Sequence, residues 1–181
     1  MDRLSHLLRQ LLTIARVDAM GSQCAIVNTD LAVLLRDRLA ELSGIARARA
    51  ITLSLDCPET MHAMVNPAGF ASIVDNLVDN AIRYTPSGGC VCVKLEADGR
   101  EIAFVVRDNG PGIASVERER VFERFYRIPG SASQGGGLGL AIVQRIARAH
   151  NASVRFVEGI AGSGLGVMVR LARPSHAEAA P

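Results

Sequence analysis

Apolar residues recur every three or four positions between Arg3 and Ala19, where Leu4, Leu7, Leu8, Leu11, Leu12, Ile14 and Ala15 form the stripe of an amphipathic helix. Such a stripe has to be covered, which predicts a helical partner in a dimer or in an upstream segment. Gly21-Ser22-Gln23 interrupt the pattern and set the expected domain boundary. Residues 1–20 are read as the end of one helical element, 21–173 as a single domain and 174–181 as a frayed tail. After the break, the apolar run Cys24 to Val27 predicts a short strand, and Asn28-Thr29-Asp30 predicts the cap of a second helix, Leu31 to about Ala48. Period-two alternation over Ile51 to Leu55 and the apolar run Met61 to Val65 predict two more strands. Asn66-Pro67 is a cap with proline at the first helical position, opening a helix that reaches about Tyr84 and is closed by Thr85 to Gly89.

Two alternating runs, Val91 to Glu96 and Glu101 to Arg107, flank Asp98-Gly99 and predict a hairpin. From Asp108 to Gly137 glycine and proline are frequent, so the expectation is mostly loop with one short helical run around Glu117 to Phe125. A further helix is predicted over Leu138 to Ala149, and a closing hairpin over Ser153 to Glu158 and Gly164 to Leu171. Helices and strands in this order predict an α/β (α+β) two-layer sandwich with a mixed sheet.

Composition narrows the function. The 181 residues are 49% hydrophobic and 21% charged, which predicts a packed core rather than disorder. A net charge of +2 provides no basic field for nucleic acid or an anionic membrane, and 4% aromatics argue against a base-stacking platform. The chain has neither a membrane-length apolar run nor a signal-peptide layout at Met1 to His6, and its four cysteines lack paired spacing. A cytoplasmic module in a reducing compartment is expected, without nucleic-acid or membrane contact.

Four strings carry candidate chemistry. On the helix opened by Asn66, Asn76, Asn80 and Arg83 fall within roughly 60° of one another, bordering the face of Phe70, Ile73, Val74, Leu77 and Ala81 that turns to the core. Amide oxygens ligate a hard ion such as Mg²⁺ and a guanidinium grips phosphate, although a solvated polar face gives the same pattern. Asp108-Asn109-Gly110-Pro111-Gly112 follows a strand directly; its glycines allow close approach of a flat ligand, its carboxylate accepts from an amine, and a plain turn is the other reading. Gly135-Gly136-Gly137-Leu138-Gly139 runs into a helix whose N-terminal amides suit phosphate. It lacks a P-loop ending and has no strand leading into it, so a flexible linker or a lid hinge are the alternatives. Between them Phe122 and Phe125 are placed to pin a short helix, leaving Arg124 and Arg127 to reach outward; ordinary core packing explains the phenylalanines equally.

Together these strings resemble the catalytic and ATP-binding domain of sensor histidine kinases, in the wider ATPase group that includes gyrase and MutL. NLVDNAIRYTP (Asn76 to Pro86) resembles the N box, DNGPGI (Asp108 to Ile113) the G1 box, FERFYR (Phe122 to Arg127) the F box and GGGLGLAIV (Gly135 to Val143) the G2 box. The likeness runs from about Asp30 to Leu171, and Arg3 to Ala19 resembles the second helix of the preceding dimerisation and phosphotransfer domain. It implies a mixed sheet faced by three helices. It also implies Asn80 as Mg²⁺ ligand with Asn76 assisting, Arg83 at the phosphates and Tyr84 against the adenine. Asp108 would then accept from the adenine amine beside Gly110 and Gly112. Arg127, with Arg124, would reach the terminal phosphate, and Gly135, Gly137, Leu138 and Gly139 would line the lid and helix start.

Two departures refine the expectation. Hydrolysing members of the wider group resemble one another in a glutamate four residues before the magnesium asparagine; here that position is Asn76, an amide that accepts no proton at neutral pH. Asp75 and Asp79 lie roughly 60° to 100° round the helix from it. Among His6, His62, His150 and His176 none has the phosphoacceptor context. The resemblance therefore implies a protein-histidine kinase module that passes the γ-phosphoryl group of Mg·ATP to a histidine on an upstream dimerisation helix. The parent would be an inner-membrane-anchored homodimer serving a response regulator. The alternatives are an ATP-hydrolysing switch and a non-catalytic nucleotide-sensing module; a protein-serine kinase of the same fold is disfavoured by FERFYR and by the helix before Gly21.

Overall fold

A computed structural model describes residues 25–129 and 136–173. The helix expected over 3–19, the boundary at Gly21, Gly135 and the tail 174–181 lie outside the described residues. The first strand, β1 (Val27–Asp30), pairs antiparallel with β3 (His62–Val65), from Val27 opposite Val65 to Asp30 opposite His62. It starts at Val27 rather than Cys24 and takes in the residues expected to form only a cap. Asp30 serves both roles. Its Oδ1 accepts from Ala32 N at 2.9 Å and Val33 N at 3.4 Å to cap α1 (Leu31–Ala48), and from Met61 N at 3.0 Å to hold that cap against the start of β3. Burial raises the Asp30 carboxyl, but these backbone donors outweigh it and leave the group below its ordinary value.

β2 (Thr52–Asp56) runs parallel to β4 (Cys90–Asp98); β4 then pairs antiparallel with β5 (Glu101–Asp108), β5 with β7 (Ser163–Ala172), and β7 with β6 (Ser153–Ile160). The sheet order is therefore β2-β4-β5-β7-β6, mixed as expected. Register puts Leu55, Val93, Val106 and Val167 in one row and Leu95, Phe104 and Val169 in the next. Against this face lie α1, α2 (Pro67–Tyr84) and α3 (Gly139–Ala149), which contribute Leu35, Leu39, Phe70, Val74, Leu77, Ile142 and Val143 to a single core. Phe70 meets Phe104 edge-on, with ring centroids 5.4 Å apart.

α2 begins as its sequence dictates: Asn66 Oδ1 accepts from Gly69 N at 2.7 Å and proline fills the first helical position. Asp75, on the flank of α2, takes a two-pronged bond from Arg38 of α1, with Nε to Oδ1 2.9 Å and Nη2 to Oδ2 2.8 Å. Burial pushes the Asp75 carboxyl up more than Arg38 pulls it down, while the same bond raises the Arg38 guanidinium, so the pair ties α1 to α2 with little net stabilisation. The helical run expected around Glu117 to Phe125 is instead two single 3₁₀ turns, Ser115–Glu117 and Arg120–Phe122. Phe122 is pinned as expected, stacking on Phe156 of β6 at 5.1 Å, whereas Phe125 is 63% exposed with φ +66° and pins nothing into the core. That positive φ breaks any helix through the segment. Among the described residues no helix is long and apolar enough to cross a membrane.

Candidate functional site

Two clusters of the predicted residues form along α2, one on its middle turns and one at its C-terminal end. On the middle turns, the side chains of Asn76 and Asn80 converge on the first residue of α3. A Cβ added at Gly139 would lie 3.0 Å from Asn80 Nδ2, 3.2 Å from Asn76 Oδ1 and 3.4 Å from Asn80 Oδ1. A side chain here would push both amides back by a few tenths of an ångström, so glycine lets α3 start in direct contact with them. Asn76 donates its Nδ2 to the Ser72 carbonyl at 2.8 Å, which turns its Oδ1 toward Gly139. Asp30 and Asn66 cap the other two helices through their side chains; at α3 the cap residue is Leu138, fully buried and without a capping side chain. The bare first-turn amides of α3 therefore sit beside two amide oxygens, an arrangement that accepts anionic oxygens on one side and a hard cation on the other.

At the end of α2, Asp108 closes β5 and is 7% exposed. Its Oδ1 receives Gly110 N at 2.8 Å and, from β7, Leu165 N at 3.2 Å. Burial raises the Asp108 carboxyl above the ordinary aspartate value, and the two amides offset this only in part. Both recorded bonds use one oxygen, so the carboxylate keeps acceptor capacity for a ligand N–H. A Cβ at Gly110 would stand 3.0 Å from the Tyr84 carbonyl oxygen, which puts the turn on the last residue of α2. Gly112 adopts φ +73° with the Gly164 carbonyl oxygen 2.9 Å from where its Cβ would be. Tyr84 is 40% exposed beside this turn. From Asn76 to Tyr84 the helix rises about 12 Å, so one rigid element spaces the two clusters.

The remaining predicted residues are less tightly gathered. Arg83 lies along α2, its Nη2 2.7 Å from Asp79 Oδ2. Arg124 and Arg127 are exposed on the segment after the second 3₁₀ turn. That segment is tied to the glycine run: Phe125 N donates to the Gly137 carbonyl at 2.8 Å, and Gly137, at φ +67°, leaves no room for a Cβ against the Phe125 and Tyr126 backbone. Tyr126 donates to Glu117 and lies 4.2 Å under the Arg120 guanidinium.

Sequence reasoning missed the contribution of β7 and of Asn109. Asn109 Oδ1 accepts from Cys90 N at 2.8 Å and closes the turn against β4. Gly164, at φ +79°, packs against the backbone of Asp108. The sequence predicts Gly164 as the start of the last strand, but not its contact with Asp108 at the end of β5.

The mixed sheet layered with three helices thus carries paired asparagines facing a glycine-started helix and a buried carboxylate at a strand end. The chain belongs to the family described as histidine kinase-, DNA gyrase B- and HSP90-like ATPase, whose profile matches residues 65–175. Its relatives place it among the ATPase domains of sensor histidine kinases. It is 43% identical over 173 residues, 94% of this chain and 36% of the relative, to the sensor protein kinase PmrB of Pseudomonas aeruginosa. It is 39% identical over 156 residues, 86% of this chain and 34% of the relative, to the sensor protein QseC of Escherichia coli. The fold matches that of full-length ShkA, solved in complex with AMPPNP, with TM-score 0.79 and 29% identity over 96% of this chain and 37% of that one. The chain spans about a third of the length of the curated relatives named here.

Proposed function

We propose that this chain binds Mg·ATP and transfers its γ-phosphoryl group to a histidine on an upstream dimerisation helix of the same or the partner protomer, for onward transfer to a response regulator. The observation that carries the reading is the convergence of Asn76 and Asn80 on the uncapped start of α3 at Gly139. In this reading Asp108 takes the adenine amine, Gly110 and Gly112 leave space for the base, and Tyr84 covers it. Arg83 and the amides after Leu138 bind phosphate oxygens, with Gly135 and Gly137 in the covering loop. Arg127, assisted by Arg124, steadies the terminal phosphate. Asn80 and Asn76 offer oxygens for Mg²⁺, and their spacing along one face fits that role. When bound, the ion neutralises phosphate charge.

The protein's own contribution is positioning and charge complementarity, the two things phosphoryl transfer asks of it. Asn76 occupies the place from which a carboxylate would activate water, and its amide is committed to Ser72. It removes no proton, so the phosphoryl group is kept for a protein acceptor. The test is transfer of labelled γ-phosphate from ATP to the isolated dimerisation domain of the parent kinase. Label on the acceptor histidine, lost by at least a hundredfold in Asn80→Ala as expected for removing a ligand of the ion that neutralises the reacting phosphate, is the expected result. Steady-state phosphate release without labelling would replace the reading with a hydrolysing switch, and binding with neither would leave a sensing module.

A further inference from the structure

His150 ends α3 and has no part in the site as described, yet both its ring nitrogens are engaged. Nε2 lies 2.9 Å from the backbone N–H of Asn66, which only donates, so Nε2 is the acceptor. Nδ1 lies 2.8 Å from the Ile146 carbonyl oxygen, which only accepts, so Nδ1 carries the proton. The ring is thus a neutral imidazole of defined tautomer. It also packs on the bare backbone of the first turn of α2, where a Cβ at Gly69 would lie 3.1 Å from His150 Cε1 and 3.3 Å from an Ile146 methyl. α2 and α3 run antiparallel: His150 meets the start of α2 at one end of the pair, and Gly139 meets Asn76 and Asn80 at the other. The eleven residues between Gly139 and His150 span about 16 Å, and the ten between Asn66 and Asn76 about 15 Å.

We infer that His150 is a positioning residue for nucleotide binding, a clamp that fixes α3 along α2 and so sets the interval between Gly139 and the Asn76–Asn80 pair. The inference rests on the reading of that pair as part of the nucleotide site. The clamp works only in the neutral form. A second ring proton would point Nε2–H at the Asn66 N–H, replacing a hydrogen bond with two opposed donors and releasing the first turn of α2.

The test compares the intact chain with His150→Gln and His150→Ala at neutral pH, reading amide-exchange protection at Asn66 and Gly69 by NMR and ADP affinity by calorimetry. His150→Gln should keep both at the level of the unmodified chain, since its carboxamide oxygen accepts from Asn66 while its NH₂ donates to Ile146. His150→Ala should lower both about five- to tenfold, as loss of two hydrogen bonds at one junction implies. The clamp is overturned if His150→Gln loses protection as His150→Ala does, or if His150→Ala leaves protection at Asn66 and Gly69 unchanged. Protection that follows the expected pattern in a chain that binds no ADP overturns the nucleotide reading and the coupling with it.

Discussion

Asp108→Ala should weaken binding of adenine nucleotides by about ten- to a hundredfold, the cost of losing a hydrogen bond to a charged acceptor in a dry site. The carboxylate has two tasks, and the substitution removes both. It offers acceptor capacity toward the ligand, and its Oδ1 gathers the amides of Gly110 and Leu165, which belong to different elements. Guanine nucleotides, which present a carbonyl where adenine presents an amine, should gain nothing from the intact residue and lose little without it. Acid gives an independent check. Burial holds the folded-state Asp108 carboxyl above its ordinary value, so the protonated form favours the folded chain. That contribution is fully present below the unfolded aspartate value, about 3.9, and is lost as pH rises through the raised folded value. Binding runs the other way. The ionised carboxylate is the better acceptor, so affinity should drop on acidification at a pH above the ordinary aspartate range, and Asp108→Asn should lack that drop. Calorimetry across pH reads both.

Gly164→Ala should destabilise the chain by about 2–4 kcal/mol, a fall in melting temperature of roughly 5–15 °C for a domain of this size, and should remove nucleotide binding at temperatures where the chain is still folded. A methyl at this position would overlap the Asp108 carbonyl oxygen and lie 2.6 Å from the carbonyl carbon and 2.7 Å from Oδ1. Both sides of the clash are backbone or a residue already fixed by two amides, so neither can step aside cheaply. The φ of +79° adds strain for any residue with a Cβ. The β6–β7 hairpin would have to lift away from the end of β5, carrying Leu165 N off Asp108. Gly99, also at positive φ but with nothing near its Cβ position, is the control: Gly99→Ala should show only the backbone cost, about 1 kcal/mol. Thermal melts and ADP titration of the two variants separate the effects.

Most of the architecture follows from periodicity because the core is patterned simply. The apolar faces of α2 and α3 and the alternation of β4 bury what their spacing predicts, whereas β5 is buried on both faces from Ile102 to Val106, and Asn66-Pro67 opens α2 where it should. Local pattern failed where long-range contacts decide. The stretch Glu117 to Phe125 has helical spacing, but Phe122 is drawn onto Phe156 while Phe125 N is drawn to the Gly137 carbonyl, and the chain cannot stay helical between those anchors. The pairing of Asp75 with Arg38 likewise needed the packing of α1 and α2, whereas Asp79 with Arg83 is a local pair four residues apart on α2; helical angle had already turned both aspartates away from Asn76. In the candidate site, Asn76, Asn80, Asp108, Gly110 and Gly139 were legible because each carries a local constraint. Gly164, Leu165 and Asn109 were not, since each acts through backbone contacts with segments distant in sequence.

Calorimetric titration of the chain with ADP and with a non-hydrolysable ATP analogue, each with and without Mg²⁺, asks whether these clusters form one Mg²⁺-assisted nucleotide site. Micromolar binding of both, with the ATP analogue strengthened by Mg²⁺, is the predicted result. No heat of binding at millimolar nucleotide in a folded chain would contradict it.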